Sequence, residues 1–183
     1  MNLFAIEFTI NEYSQIPCRV LVGAACLRGG GMRLTQRTDY ALRVLMYCAE
    51  HAQRPAVPTI AEIAQAHGIS YSHLMKIVMT LSAQGWLSTS RGRGGGLRLL
   101  RPAQDIRLGD VVRQMEDDFT LVECFQAEGN ECRIDGRCRL KGVMGQALQA
   151  WMQALDGVTL ADLLRPGRLS DQSLDLPRQL LPK

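Results

Sequence analysis

Aromatic residues are scarce in this chain of 183 residues: they account for 5% of it, whereas apolar residues as a whole account for 46%. A core with so few rings has to be filled by aliphatic side chains, which favours a helical fold. No apolar run approaches the roughly 20 residues of a membrane-spanning helix. The chain also lacks the basic opening of a secretory signal, since its first positive side chain is Arg19. We therefore expect no membrane insertion, and the six cysteines fit the reducing cytoplasm.

The sequence also lacks a catalytic constellation. No Ser-His-Asp or paired-carboxylate arrangement is evident, and the histidines fall on or near predicted helices. The formal net charge is only +3, but positive charge is concentrated at Arg91, Arg93, Arg98 and Arg101. Such a local density of arginine points to a polyanionic partner. The sequence therefore predicts a nucleic-acid-binding protein and not an enzyme.

The residue pattern changes at Met32, directly after three glycines. We expect residues 1–31 to be a non-native or disordered extension, with translation beginning at Met32. The rest divides into a winged helix-turn-helix DNA-binding domain, a connecting helix with a cysteine loop, a dimerisation helix and a flexible tail, at 32–101, 102–139, 140–165 and 166–183.

Apolar spacing and capping residues predict three helices in the DNA-binding domain. The first begins at Thr35 and runs to about His51. The segment Thr59-Ile60-Ala61-Glu62 predicts a capping box at the start of a second helix, which ends at Gly68. Ser70 caps a third helix. Two short capped helices separated by a glycine turn indicate a helix-turn-helix.

The N-terminal end of the third helix carries the side chains that we expect to face DNA. A recognition helix presents these positions to the major groove, although an ordinary solvated face is the alternative. We predict base contacts from Ser72, His73 and Lys76. The full candidate set on this helix is Ser70, Tyr71, Ser72, His73 and Lys76.

A basic hairpin is predicted next, with strands at Leu87–Ser90 and Leu97–Leu100. The turn between them reads RGRGGG, which is typical of a wing because glycine allows close approach to DNA and arginine suits a narrow minor groove. A phosphate-binding glycine loop is the alternative, but no Lys-Ser/Thr pair follows. We predict that Arg91 and Arg93 contact the minor groove or phosphates.

A second unusual segment, ECFQAEGNECRIDGRC, contains Cys124, Cys132 and Cys138. It has no periodic apolar pattern, so we predict a loop that metal binding would order. The odd number of cysteines disfavours disulfides. The long gaps between them, and the lack of a following His, disfavour structural zinc. Thiolates at this spacing favour an iron–sulfur cluster with a weaker fourth ligand from elsewhere, which suits a sensor better than an electron carrier.

The segment from Leu140 to Leu155 predicts a longer helix with a wide apolar face. The preceding globule is too small to cover that face, so we expect a dimer interface, with intramolecular packing as the alternative. The predicted fold class is mainly α with a small β-hairpin wing: a winged helix-turn-helix plus a long C-terminal dimerisation helix.

Three segments together resemble the NsrR/IscR family of winged-helix regulators. They are MRLTQRTDYALRVLMY from Met32, RGRGGGLRL from Arg91, and the cysteine loop with the long helix after it. The resemblance spans about Met32 to Leu164 and is strongest for the NsrR-type, nitric-oxide-sensitive repressors. Members of the IscR type place a His soon after the third cysteine, and this chain has none there.

The resemblance implies a homodimeric repressor that binds a pseudo-palindromic operator in double-stranded DNA and releases it when nitric oxide reacts with its iron–sulfur cluster. It implies as cluster ligands Cys124, Cys132 and Cys138 of one subunit and Asp39 of the other, and a 4Fe–4S cluster in preference to 2Fe–2S. Without the resemblance, Asp39 would be interpreted as an acidic residue near a helix N-terminus that the helix dipole stabilises. Glu123 and Asp135 remain alternative oxygen donors. A regulator responding to iron or iron–sulfur status, as in the IscR type, is the alternative function.

Overall fold

The structure, a computed structural model, describes residues 34–126 and 128–165. The predicted extension 1–31, the start at Met32 and the tail 166–183 lie outside these residues. Within them the fold is mainly helical with one β-hairpin, as predicted. In chain order the elements are α1 Gln36–Glu50, α2 Ile60–His67, α3 Tyr71–Ala83, β1 Leu87–Thr89, β2 Leu97–Leu99, α4 Leu108–Met115, α5 Arg139–Asp156 and α6 Leu160–Leu163, with single 3-10 turns at Ala103–Asp105 and Glu123–Phe125.

The predicted helix caps at α1 and α3 are confirmed. The Thr35 hydroxyl accepts a hydrogen bond from the Thr38 backbone N–H at 3.3 Å. The Ser70 hydroxyl accepts one from the His73 backbone N–H, also at 3.3 Å. Gly68 ends α2 with a φ of +64°, a left-handed conformation that favours glycine. The turn between α2 and α3 is therefore formed as the sequence predicts.

Only half of the predicted capping box at α2 is present. The Thr59 hydroxyl accepts from the Glu62 backbone N–H at 3.2 Å, as expected. However, the Glu62 carboxylate turns away from Thr59 and accepts hydrogen bonds from the Tyr47 hydroxyl at 2.9 Å and from Arg54 at 3.1 Å. Glu62 therefore joins α2 to α1 and to the α1–α2 connection.

The hydrophobic core lies where α1, α3, the hairpin, α4 and α6 meet. Cys48 is only 3% exposed within it, and burial raises the pKa of its thiol to about 12. Cys48 is thus a small buried apolar residue. Its fully buried neighbours in the core include Ala41, Val44, Leu45, Ile63, Leu74, Leu81, Ile106, Val111, Met115 and Leu160.

The hairpin packs on this core through Leu87, Leu97 and Trp86, all of which are buried. Its register pairs Leu87 with Leu99 and Thr89 with Leu97, so each strand is one residue shorter than predicted. The hairpin also lies close to the α1–α2 connection: a Cβ on Gly96 would stand 2.5 Å from the carbonyl oxygen of Pro58. Gly96 is therefore needed for this close approach.

The C-terminal end of α5 is fixed to α4 by an ion pair with two hydrogen bonds. Arg113 donates to the Asp156 carboxylate oxygens at 2.7 and 2.6 Å. The backbone of Leu108 donates to Val158 at 3.0 Å, and that of Leu160 donates to Ile106 at 2.8 Å. These contacts hold the end of α5 and the segment after it against α4 and the residues that precede it. No helix among the described residues is long and apolar enough to cross a membrane.

Candidate DNA interface and cysteine site

The N-terminal end of α3 presents most of the predicted DNA-contacting residues to solvent. Ser70, Tyr71, Ser72 and Lys76 are exposed. His73 is half-buried instead, because its ring packs edge-on against Tyr40 of α1 with a centroid separation of 5.1 Å. The His73 side chain therefore has a packing role in addition to the base contact predicted for it.

An apolar row on α3 was not predicted from the sequence. Tyr71, Met75 and Met79 recur every fourth residue and are 51%, 40% and 67% exposed. The four-residue spacing could have revealed this row in the sequence, because it places the three side chains on one helix face. They line a groove of about 650 Å³ between α3 and the base of the hairpin, and its lining includes Arg91 and no acidic side chain.

The hairpin turn has the conformation expected of a wing. Gly92 and Gly94 have φ values of +90° and +81°, and the exposed Arg91 and Arg93 alternate with them. A Cβ on Gly95 would lie 2.4 Å from the carbonyl oxygen of Ser90, so this turn requires glycine. Neither arginine forms an ion pair with a carboxylate of the described residues. Both guanidinium groups are thus available to an anionic partner.

The cysteine loop places its thiols in different environments. Cys124 lies on the 3-10 turn and is 9% exposed, whereas Cys132 and Cys138 are half-buried. All three thiols are free of disulfides. Among residues 34–126 and 128–165, no three His, Cys, Asp or Glu side chains are spaced for one metal ion. The loop of a single chain therefore does not form a closed metal site.

Hydrogen bonds within the cysteine loop connect its residues to one another, and the expectation that metal binding orders the loop stays a prediction. The Asp135 carboxylate accepts from the Asn130 side chain at 2.6 Å and from the Gly136 backbone at 2.9 Å. The Asn130 amide oxygen accepts from the Cys132 backbone N–H at 3.0 Å. Asp135, named from the sequence as an oxygen donor, is thus already engaged within the loop.

Lys141, in the first turn of α5, is bonded to the cysteine loop. Its ammonium group donates to Asp135 at 2.7 Å, and this hydrogen bond is the main reason that the pKa of Lys141 is raised. Negative charge on Cys124 and Cys132 contributes in the same direction. Lys141 and Cys124 also line a shared pocket of about 660 Å³.

Asp39, implied as a ligand by the resemblance, lies in the first turn of α1 and is half-exposed. Its carboxylate pairs with Arg43 at 2.9 Å, and the same guanidinium lies 6.0 Å from the centre of the Tyr40 ring. In a single chain Asp39 does not join the cysteines in a set spaced for a metal ion. The role of Asp39 as a ligand from a partner subunit therefore stays a prediction.

The donor chemistry of the loop nevertheless fits a thiolate-bound cluster. Three free thiols, one of them buried, lie in a loop of 15 residues from Cys124 to Cys138. Soft thiolates of this kind are the ligands that iron–sulfur clusters use in proteins. Cys124, Cys132 and Cys138 are the residues of this chain that would hold such a group, with a fourth ligand from outside the loop.

The helix α5 keeps a broad apolar face exposed. None of its described residues is fully buried, and Leu140, Val143 and Trp151 are 58%, 58% and 37% exposed. The prediction that one globule cannot cover this face is confirmed for the single chain. Which surface covers α5 stays a prediction.

Comparison with known proteins supports a regulatory role for this arrangement. A profile of the Rrf2 family, described as "Iron-dependent Transcriptional regulator", matches residues 34–166. The HTH-type transcriptional regulator NsrR of Bacillus subtilis is 48% identical over 135 residues, which is 73% of this chain and 91% of that protein.

Two solved structures are similar in fold. A transcriptional regulator from Listeria innocua aligns with a TM-score of 0.63 and 26% identity, covering 79% of this chain and 94% of that one. The structure of T. potens IscR aligns with a TM-score of 0.59 and 24% identity, over 73% of this chain and 87% of that one. The similarity to T. potens IscR shows only that the two chains share a fold.

Proposed function

Because the chain belongs to the Rrf2 family of transcriptional regulators, we propose that it is a homodimeric DNA-binding repressor that senses nitric oxide through an iron–sulfur cluster in its cysteine loop. The observation that carries this proposal is the pairing of two features in one chain. A wing with two exposed arginines is suited to DNA, and a loop with three free thiols is suited to a cluster. The name of the Bacillus subtilis relative, an HTH-type transcriptional regulator, supports the DNA-binding part of this proposal.

The DNA-binding half of the proposal uses the exposed end of α3 and the wing. Ser72, His73 and Lys76 would contact base edges in the major groove, while Ser70 and Tyr71 lie at the entry of the helix. Arg91 and Arg93 would contact the adjacent minor groove or phosphates. A two-fold dimer reading a pseudo-palindromic operator places its two recognition helices about 34 Å apart.

The sensing half uses Cys124, Cys132 and Cys138 as thiolate ligands and Asp39 of the partner subunit as a weaker oxygen ligand. When bound, the cluster supplies irons that react with nitric oxide, and a 4Fe–4S form is the one we expect. The carboxylate is the ligand that this protein can release most readily, because Asp39 is half-exposed and Arg43 offers it an alternative partner at 2.9 Å.

Contacts within one chain connect the cysteine loop to α3, the proposed recognition helix. The segment entering the loop begins at Glu116, whose carboxylate accepts from the Thr35 backbone at 2.9 Å. The next residue, Asp117, pairs with Arg37 at 2.7 Å. Thr35 and Arg37 belong to the start of α1, which packs on α3 through the ring of Tyr40 against His73. A displacement of the loop can thus reach α3 through packed residues.

The experiment that tests this proposal is anaerobic purification of the full chain, with iron, sulfide and DNA affinity measured on the same sample. We expect a coloured protein that binds operator DNA and loses that affinity when the cluster is removed. Cys124→Ser, Cys132→Ser and Cys138→Ser should each abolish the colour. Cys48→Ala is the matched control, because Cys48 is buried in the core and away from the loop. A colourless wild-type protein containing zinc would contradict the proposal.

A second candidate function is sensing of iron or iron–sulfur supply, which the description of the Rrf2 family as iron-dependent favours. In that case the same loop would report whether a cluster can be assembled at all. A cluster that is indifferent to nitric oxide but is lost under iron limitation would support this candidate over the first.

A further inference from the structure

The helix α3 has two apolar faces, and packing in the core accounts for only one of them. The inner face carries four buried side chains: Leu74, Ile77, Val78 and Leu81. The second face is the row formed by Tyr71, Met75 and Met79, which all stay exposed. A single exposed apolar side chain is common on a protein surface, but three on one face of a helix are typical of a contact surface. The row is therefore suited to contact with another molecule.

Two members of this row lie in the part of α3 that is proposed to enter the major groove. Tyr71 is the first residue of the helix, and Met75 begins its second turn. Ser72, a proposed base contact, is three residues from Met75 and four from Lys76, so both are its neighbours on the helix surface. Polar and apolar side chains thus form one continuous surface at this end of α3. Met79 lies one turn further, about 6 Å along the helix axis.

The groove that the row lines has a charge that suits DNA. Its lining includes the guanidinium of Arg91 and, among the described residues, contains no carboxylate. The other side chains of the lining are apolar or carry a hydroxyl group. An occupant that presents negative charge beside an apolar group therefore fits this surface best. DNA presents both, because phosphates border the major groove and thymine projects a methyl group into it.

Thymine is the base that presents an apolar group in the major groove, the methyl group on its C5 atom. The other features of the base edges there are hydrogen-bond donors and acceptors, which an apolar side chain does not match. We propose that Tyr71 and Met75 are specificity-determining residues of the DNA interface, and that their side chains recognise the C5-methyl groups of thymines. This inference deepens the DNA-binding part of the proposed function and rests on it, and it does not involve the cluster.

The test separates the methyl group from the rest of the base. The full-length wild-type protein, purified anaerobically, first selects its operator from duplexes that have a random central segment. Each thymine of that operator is then replaced by uracil, one at a time, which removes the methyl group and keeps every hydrogen-bonding group. Fluorescence anisotropy gives the affinity for each duplex at one fixed salt concentration, because phosphate contacts depend on salt.

We expect uracil to weaken wild-type binding about fourfold at the thymines that Tyr71 and Met75 contact, which is the effect of losing one buried methyl group. Met75→Ala should bind thymine and uracil equally at one of these positions. Met75→Leu should keep the preference for thymine, because leucine is apolar and of similar size. Tyr71→Ala should lose the preference at a second thymine, and Tyr71→Phe should keep it, since the ring remains.

Met79→Ala is the matched control for Met75→Ala. It makes the same substitution on the same face of α3, one turn beyond the part of the helix that is proposed to enter the major groove. Because both methionines are exposed, neither substitution should alter the fold. Met79→Ala should therefore keep the wild-type preference for thymine at every position of the operator.

If uracil has no effect at any thymine while the wild type still selects a defined sequence, the inference is wrong and the DNA-binding proposal stands. A full wild-type preference in Met75→Ala or in Tyr71→Ala would overturn the assignment of that residue. Loss of the preference in Met79→Ala, or in Met75→Leu, would contradict local apolar recognition by Met75. Unchanged DNA binding by Met75→Ala together with an altered sedimentation coefficient would assign the row to a second copy of the chain and overturn the inference. If the wild type selects no sequence, the DNA-binding proposal fails and the inference fails with it.

Discussion

The carboxylate of Asp39 and the guanidinium of Arg43 form an ion pair of 2.9 Å, one helical turn apart on α1. Hydrogen bonding to Asp39 is the main cause that raises the pKa of Arg43. Both side chains are 45% exposed, so the pair contributes only about 0.3–0.5 kcal/mol to stability. A carboxylate held this weakly can leave Arg43 for another partner at little cost.

Substitution of Asp39 should therefore affect the cluster and leave the fold almost unchanged. We expect Asp39→Ala to unfold within about 0.5 kcal/mol of wild type, as is usual for exposed helix ion pairs. Its reconstituted cluster should be lost to EDTA faster than that of wild type. Arg43→Ala is the control, because it breaks the same ion pair and keeps the carboxylate. Equal cluster lifetimes in Asp39→Ala and wild type would rule out Asp39 as a ligand.

Removal of a wing arginine should weaken binding to all DNA sequences alike. We expect Arg91→Ala and Arg93→Ala each to flatten the dependence of log K on log salt concentration by about one unit, because one phosphate contact is lost. Fluorescence anisotropy at several salt concentrations measures this slope. Arg133→Ala, an exposed arginine of the cysteine loop, should leave the slope unchanged. An unaltered affinity and slope in both wing variants would show that the wing does not touch DNA.

His73 offers a way to separate packing from base contact. His73→Ala should lose DNA affinity and also about 0.5–1.5 kcal/mol of stability, since the ring pair with Tyr40 is lost. His73→Phe should keep the ring contact and the stability but lose the hydrogen bond to the base. Urea unfolding and operator affinity, measured on both variants, give the comparison. Wild-type affinity in His73→Phe would mean that His73 has only a packing role.

The winged helix-turn-helix could be predicted from local signals because its chemistry is local. The caps at Thr35 and Ser70, the left-handed Gly68 and the glycine turn of the wing are each determined by a few adjacent residues. The resemblance to the NsrR/IscR family and the expectation of a non-enzyme are confirmed by the match to a family of transcriptional regulators. These conclusions needed no knowledge of tertiary contacts.

The organisation of the cysteine site could not be predicted in the same way. Asp135 and Lys141 are 6 residues apart and meet only because the loop turns back on the start of α5. Glu62 satisfied a local capping pattern, yet its carboxylate bonds instead to Tyr47, 15 residues earlier. Such pairings depend on how elements pack, and neither periodicity nor spacing encodes them directly.

The ion pair that joins Asp156 at the end of α5 to Arg113 of α4 should depend on a glycine in α4. A Cβ on Gly109 would lie 1.9 Å from an Asp156 carboxylate oxygen, so Gly109→Ala has to displace Asp156 from Arg113. We expect this displacement to offset the stabilisation that alanine brings inside a helix, so Gly109→Ala should stabilise the protein less than the same change at an open helix position. Gly142→Ala on α5 is the control, since nothing lies within 4 Å of its Cβ position and alanine favours a helix by up to about 1 kcal/mol. Urea denaturation should thus give a larger free energy of unfolding for Gly142→Ala than for Gly109→Ala.

Because Asp156 has to be ionised to pair with Arg113, we expect the protein to lose stability in acid. The Arg113 hydrogen bonds lower the pKa of Asp156 below its usual value, so the folded state binds this proton less readily than the unfolded state does. The stabilisation is fully present above the unfolded pKa of about 3.9 and is lost as pH falls below it. Urea unfolding from pH 7 to pH 3 should show the gap between wild type and Asp156→Asn narrowing below about pH 4. A gap that is constant over this range would contradict the assignment.

The central claim is that the cluster held by the cysteine loop controls DNA binding, and a titration with nitric oxide tests it most directly. Anaerobic, reconstituted protein is bound to fluorescent operator DNA, and cluster absorbance and DNA anisotropy are followed in the same cuvette. We expect both signals to change together as nitric oxide is added. If the absorbance changes completely while the DNA stays bound, the cysteine loop does not control the recognition helices. The proposal that the cluster controls DNA binding would then be wrong.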